Sequence, residues 1–431
     1  MRNINQNEKG LYWGWYIVAA AFVCMGINHG SRYCFAIFVD PIASDLQWSR
    51  STISMAATIA ILSYSIGGIL SGRLLDRMAP KWLITIGAAI LGMSFILTSL
   101  VQTPFQFNFM YGIFSGLGGS FFGVVVCSAY ISKWFVRKRG SAIGIATMGI
   151  GVFTMILPFV AGPFVKHFGW RTGFVILGIL VLVLGISMAH FFMGRTKPSD
   201  YGLLPDGDLS DAKEDIRLNF RNSEEKNRPM ENSCAVSYLR DSGFWILTFC
   251  FSIAVTAEML AFVHQVAFAV DNGIERILAD ASLSIVGFSS IGGRYFFGWI
   301  SDKMRNAKYS ACMGFAMMAL GILLFFQFRT VYGLYGYALL FGFGYGSIST
   351  MMPYLLADRY GSAILGTIYG LLTFFVVSAS SLGPLLGGYI YDQTGTYDLA
   401  WQINFLLLIA VTFIMATLNK KPQYAMTPGN D

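Results

Sequence analysis

Charge is what this chain has least of. Only 12% of its 431 residues are Asp, Glu, Lys or Arg, about half the share of a soluble globular domain, which excludes an ordinary soluble enzyme. Cysteine is sparse as well: Cys24, Cys34, Cys127, Cys234, Cys250 and Cys312 are scattered, mostly inside apolar stretches. They show neither paired nor metal-ligand spacing, so no disulfide framework and no zinc site are expected. The four histidines, His29, His167, His190 and His264, stand far apart, which removes the His-Glu-x-x-His arrangement of a zinc enzyme. No Gly-x-x-x-x-Gly-Lys-Ser/Thr run is present to cradle a nucleotide phosphate. No cofactor and no metal are therefore expected, and any work must draw on ion or solute gradients.

What the chain does have is apolar length. Hydrophobic residues make up 55%, aromatics 16%, and there are 47 glycines, a composition suited to lipid as solvent. At about 20 residues per crossing, apolar runs fall near Trp13–Phe38, Thr52–Leu70, Trp82–Val101, Phe107–Ile131, Ala142–Val165 and Gly173–Phe192. A second set follows near Phe244–Val270, Leu278–Ile300, Ser310–Phe328, Tyr332–Leu356, Ser362–Tyr389 and Trp401–Leu418. Between the sets, positions 195–231 hold 16 charged residues and no apolar period, as a solvated linker would. The reading is an all-α membrane protein of twelve transmembrane helices in two six-helix bundles, 1–194 and 242–431, joined by a cytoplasmic linker over 195–241. The first apolar run is too long for a signal-peptide core and is expected to be retained.

Basic residues set the orientation. With both termini in the cytoplasm, 23 of the 30 lie in cytoplasmic segments and six (Arg32, Arg50, Lys166, Arg171, Arg276, Arg329) at the outer side, leaving Arg294 within a span. That asymmetry predicts a multi-pass protein of the inner (plasma) membrane with cytoplasmic termini. The net charge of +7 thus encodes topology, and no soluble basic domain exists to hold nucleic acid.

The two halves repeat. Gly72-Arg73-Leu74-Leu75-Asp76-Arg77-Met78 after the second span recurs as Gly298-Trp299-Ile300-Ser301-Asp302-Lys303-Met304 after the eighth, an offset of 226. Gly140-Ser141-Ala142-Ile143 recurs as Gly361-Ser362-Ala363-Ile364, and Gly162-Pro163 as Gly383-Pro384, both at offset 221. Parallel repeats place a substrate path on the axis between them, complete within one chain, so a monomer is expected to suffice.

The doubled Gly-x-x-x-Asp-Arg/Lys signature within a 6+6 arrangement resembles the major facilitator superfamily over essentially the whole chain. The resemblance implies that Asp76, with Arg77, meets the start of span eleven and that Asp302, with Lys303, meets the start of span five. Each acid there would cap a helix of the opposite bundle and stabilise one access state, the helix macrodipole being the physical reason.

Ionisable groups inside spans cost roughly 2.5–3.5 kcal/mol each on insertion scales, which makes the few present candidates for function. Arg294 lies about 10 Å in from the cytoplasmic end of span eight, and its planar fork matches a carboxylate. Its alternatives are an anion anchor or a structural partner for Glu258 of span seven. His264, on the same span as Glu258, is a candidate for substrate binding and, like Glu258, for carrying a proton. Six residues apart, the two are about 240° apart around a helix, so only one can face the path squarely. Asn28, His29 and Arg32 lie in the outer half of span one; Arg32 either snorkels to the interface or forms a cationic mouth.

Trp13-Gly14-Trp15-Tyr16-Ile17-Val18, the run Lys133-Trp134-Phe135-Val136-Arg137-Lys138-Arg139-Gly140-Ser141-Ala142-Ile143-Gly144-Ile145, and Gly293-Arg294 resemble the monocarboxylate transporter branch, including bacterial relatives near the oxalate/formate antiporters. In that branch the span-eight arginine binds the substrate carboxylate, and Arg32 falls about where a span-one lysine stands. Four positions before Arg294, where eukaryotic members place an acid tied to proton movement, is Ser290. The span-eleven lysine of oxalate exchangers has no counterpart between Ser362 and Tyr391. The resemblance implies proton-coupled transport of small monocarboxylates such as lactate or pyruvate, with Arg294, His264, Asn28, Arg32, Ser290 and Tyr345 as candidate binding residues. Alternatives are a carboxylate exchanger of the oxalate/formate type and a facilitator-type exporter of another small molecule. A non-transporting sensor is a further possibility, though no signalling domain accompanies the bundles.

Overall fold

The computed structural model describes residues 11–419 except 195, 202, 208–238 and 305. Among the described residues it is helical throughout, with twelve crossings. Span one is Trp13–Tyr33, continued past a short break by Ala36–Leu46; spans two and three are Arg50–Arg77 and Pro80–Thr98. Span four is built from Pro104–Phe107, a π-helical stretch Asn108–Phe114, Ser115–Phe121 and Val124–Trp134. Spans five and six run together as Arg139–Phe192 but part at Gly169, whose φ of 82° interrupts the helix. Spans seven to ten are Ser242–Asp271, Arg276–Lys303, Lys308–Gln327 and Val331–Tyr360. Span eleven is Leu365–Ser380 with Leu382–Thr394, and span twelve is Asp398–Ala416. Among the described residues, eight helical stretches are long and apolar enough to cross a membrane on those two properties alone, the 54-residue stretch holding two crossings. The other three crossings, spans one, eight and ten, carry polar residues such as Asn28, Ser290 and Tyr345.

Local chemistry marks the ends. Ser49 accepts from the Thr52 amide to start span two, a capping box of Thr103 and Gln106 starts span four, and Thr330 accepts from the Gly333 amide at span ten. These bonds satisfy amides that a helix start leaves orphaned. The π-helical stretch was not foreseen from the sequence, because seven residues are too few for its altered turn to register in the apolar period.

The long 195–238 stretch lies mostly outside the described residues, but its beginning is not detached from the bundle. Asp206 accepts from the amides of Val136, Arg137 and Lys138 at 3.0, 2.9 and 3.1 Å. That carboxylate pins the stretch to the loop before span five, where amides unsatisfied by the helix favour an anion.

The bundles meet along two seams near the side that carries the linker. Spans two and eleven pack so closely that a Cβ on Gly72 would lie 2.1 Å from the Gly366 carbonyl oxygen, and spans five and eight so closely that one on Gly140 would lie 2.2 Å from that of Gly298. Glycine permits this backbone approach. The bundles are joined by Thr147 to Thr350 hydroxyls at 3.2 Å and Ser65 to the Phe374 carbonyl at 3.3 Å. Asp302 and Asp76 complete the closure: Asp302 accepts from the Gly140 and Ser141 amides at 2.7 Å each, and Asp76 from the Thr367 amide at 3.0 Å. The molecule is thus closed on the linker side.

Candidate functional site

Above those seams the bundles enclose a cavity of about 410 Å³, lined from both halves. Its floor follows from the packing: glycines draw the spans of the two bundles together below it. The C-terminal bundle contributes Glu258, Arg294, Tyr345 and Ser349; the N-terminal bundle contributes His29, Arg32, Tyr33 and Tyr64.

Arg294 is 2% exposed and yet ionisable. Its Nη1 donates to the Ser290 hydroxyl at 2.7 Å, Nε to Ser349 at 3.2 Å and Nη2 to Tyr345 at 3.2 Å. The guanidinium carbon also lies 5.1 Å from the centre of the Tyr345 ring. Every one of these partners is neutral. Among the described residues no carboxylate lies within 4.0 Å of it, Glu258 included. A Cβ on Gly151 of span five would lie 3.1 Å from Nη1, so the group sits where the two bundles face each other. A buried charge held only by hydroxyls is left with most of its desolvation cost uncompensated, and an arriving anion relieves it.

Glu258 and His264 separate as their angular spacing requires. Glu258 is 4% exposed, borders the cavity, and makes no hydrogen bond or ion pair among the described residues. His264 turns away. Its Nε2 donates to the Pro384 carbonyl at 3.0 Å and its ring lies 5.0 Å from that of Tyr397. The imidazole lies against Pro384 of span eleven and Tyr397 before span twelve, the hydrogen-bonded packing common for a histidine within a span, and does not border the cavity.

The other expected residues divide similarly. Arg32 does not snorkel; it borders the cavity with its guanidinium carbon 4.6 Å from the centre of the Tyr64 ring. Asn28 is fully buried and donates to the Gly119 carbonyl at 2.6 Å, tying span one to span four, and does not border the cavity. Ser290 holds Arg294 and donates to the Gly287 carbonyl at 2.7 Å, behind the cavity surface. Tyr345 borders the cavity. On the linker side Arg77 is exposed, and Lys303 lies 3.9 Å from the centre of the Trp299 ring on its own helix, so Asp76 and Asp302 make the bonds across the seams. Sequence reasoning missed Tyr33, Tyr64 and Tyr369 as cavity residues; among 21 tyrosines nothing in the pattern distinguishes them.

No group of His, Cys, Asp or Glu placed to hold a metal ion occurs among the described residues.

Comparison with known proteins agrees with this architecture. The family model described as Major Facilitator Superfamily matches residues 21–384. Monocarboxylate transporter 12-B of Danio rerio is 26% identical, over 94% of this chain and 86% of that protein. Monocarboxylate transporter 2 of Homo sapiens is 26% identical, over 93% and 84%. Among solved structures, the proton:xylose symporter XylE bound to 6-bromo-6-deoxy-D-glucose superposes with a TM-score of 0.72 at 12% identity, covering 95% of this chain and 96% of that one. At that identity the likeness speaks to the fold alone.

Proposed function

We infer what the cavity carries from one premise: the chain belongs to the Major Facilitator Superfamily, and is a multi-pass membrane transporter rather than an enzyme. We propose that it is a secondary transporter of small monocarboxylates of lactate or pyruvate size, coupled to a proton, working by alternating access. The linker side is assigned to the cytoplasm from the basic residues it carries.

The observation that carries this reading is the bonding of Arg294. A guanidinium buried between two bundles, bonded to three hydroxyls and to no acid, offers a planar pair of donors to a carboxylate. The relatives named as monocarboxylate transporters support the same class. In the linker-closed state the anion enters from the opposite side and binds Arg294. A proton joining Glu258 as the anion arrives leaves the charge of the cavity unchanged, so the loaded carrier reorients without moving net charge through lipid. Release of the Asp76 and Asp302 caps then opens the linker side.

Carboxylate exchange is a second reading, and Arg32 favours it: a second guanidinium borders the same cavity without an ion pair among the described residues. Uptake of labelled lactate or pyruvate into proteoliposomes, with and without an imposed pH gradient, separates the two. Accumulation driven by the gradient and abolished by Arg294→Ala is expected. Uptake that ignores the gradient but needs internal carboxylate would favour exchange, and transport undiminished in Arg294→Ala would remove the anchor altogether.

A further inference from the structure

We propose that His29 is a specificity-determining residue of this cavity, its Nε2 selecting carboxylates that also carry a hydroxyl over keto acids and unsubstituted acids of the same size. The proposal rests on the reading of the cavity as a carboxylate site.

The tautomer follows from one bond. His29 borders the cavity, and its Nδ1 lies 3.2 Å from the Met25 carbonyl oxygen, one turn earlier in span one. A carbonyl only accepts, so Nδ1 carries the hydrogen. In a neutral ring the other nitrogen is then a lone pair. Nε2 has no hydrogen-bond partner among the described residues. Arg32 and Arg294 share the cavity with the ring, so a second ring proton would place a third positive charge in the same low-dielectric space. The imidazole therefore presents an acceptor.

This acceptor differs from the other polar groups on the wall. Arg32 and Arg294 only donate, while the hydroxyls of Tyr33, Tyr64, Tyr345 and Ser349 can give or take. Glu258, once protonated in the loaded state, has a hydrogen to offer. His29 Nε2 is confined to accepting, and it is supplied by the bundle opposite Arg294. A substrate anchored by its carboxylate on Arg294 and carrying a hydroxyl satisfies both. A keto oxygen in the same place sets lone pair against lone pair, and a methylene leaves the nitrogen unpaired. Sites built to bond a hydroxyl discriminate strongly against analogues that lack it, because the site group is left unsatisfied.

The test uses the full chain in proteoliposomes, with labelled lactate uptake challenged by unlabelled lactate, propionate and pyruvate, a trio matched in size. In the unsubstituted protein, lactate is expected to compete about tenfold better than either of the others, the effect of one hydrogen bond. His29→Phe is expected to bring the three together, lactate losing its advantage while propionate and pyruvate compete at least as well as before, and that competition reports that the protein still folds. His29→Gln, whose amide oxygen can accept, is expected to keep part of the preference, which a merely structural role for the ring would not predict. If His29→Phe does not fold, His29→Leu asks the same question. Equal competition by the three acids in the unsubstituted protein, or an unchanged preference in either apolar variant, overturns the proposal. Failure of every acid to compete would instead count against the carboxylate reading itself.

Discussion

Asp302 takes two hydrogen bonds from Ser141, one from its amide and one from its hydroxyl, each 2.7 Å long. The pseudo-symmetric partner repeats the arrangement, Asp76 accepting from the amide and hydroxyl of Thr367 at 3.0 and 2.7 Å. Each carboxylate sits at the start of a helix in the other bundle, where orphaned amides and the helix dipole favour negative charge. These bonds cross the seams of the linker-closed arrangement, and are expected to part when it opens. Replacing Asp302 by Asn keeps the shape and removes the charge, at a cost of about 1–2 kcal/mol to the closed state alone. That corresponds to roughly a five- to thirtyfold shift toward the linker-open state. A reporter cysteine on the linker-side end of span five should react with maleimide faster by a similar factor in Asp302→Asn, and faster again when Asp76→Asn is added, since the two caps are separate. Unchanged labelling in both variants would count against the acids as state locks.

Glycine contacts offer an independent route to the same equilibrium. A side chain at Gly72 must displace the Gly366 carbonyl, 2.1 Å from where its Cβ would be, and backbone cannot yield as a flexible side chain can. Gly72→Val is expected to disfavour the linker-closed state by at least the 1–3 kcal/mol typical of overpacking, without harm to either bundle taken alone. Uptake should fall at least tenfold while the thermal melting of detergent-purified protein changes little. Gly162→Ala is the matched control, because a Cβ there meets nothing within 4 Å; its uptake should equal that of the parent chain.

What was legible from sequence and what was not divide along physical lines. Helix number and the break near Gly169 were readable, because apolar length is a property of the chain itself; the repeat matched Asp76 with Asp302, and their pairing with the opposite halves came from the family resemblance alone. Arg294 stood out because a charge within a span is rare and costly. The facing of Glu258 and His264 was constrained only to the extent that both could not face the path. Choosing between them required the neighbours of span seven, and Pro384 and Tyr397, which take His264 out of the wall, lie more than a hundred residues away. The packing of Asn28 was hidden for the same reason: its partner is the Gly119 carbonyl of another span, and a backbone acceptor leaves no trace in composition. The neutral surroundings of Arg294 were partly visible, through Ser290 one turn away and Tyr345 among the candidates, and partly hidden, through Ser349 of span ten.

The C-terminal bundle carries an ion pair whose pH dependence can be signed. Asp241 accepts from Arg359 through Nε and Nη2 at 2.9 and 3.0 Å, and from the Tyr360 hydroxyl, while capping the Gly243 amide at the start of span seven. Burial by itself raises the carboxyl, but the bonds from Arg359 and Tyr360 outweigh it and hold the group below the ordinary 3.8. A carboxyl lowered on folding lends stability that is complete above its unfolded value and is lost as pH falls through the folded one. Asp241→Asn should therefore lower the melting temperature of detergent-purified protein by a constant amount between pH 5 and 8, with the gap closing below about pH 4. A gap that instead varied across the neutral range would assign the pair's effect to some other titrating group.

Glu258 bears most directly on coupling. It is the acid on the cavity wall and has neither a hydrogen bond nor an ion pair among the described residues, so a proton can come and go there without breaking anything else. Gln at this position keeps the size and fixes the neutral form. If the anion binds Arg294 only when this site is neutral, Glu258→Gln should bind carboxylate at least as well as the parent and exchange labelled for unlabelled substrate across the membrane. Net accumulation should fail, because the empty carrier would return without the negative charge of Glu258 in the cavity, and an inside-alkaline gradient should no longer drive uptake. Exchange preserved with gradient-driven uptake lost is a pattern that neither misfolding nor weakened binding produces, since both would depress the two assays together. Gradient-driven uptake surviving in Glu258→Gln would remove Glu258 as the site of the coupled proton.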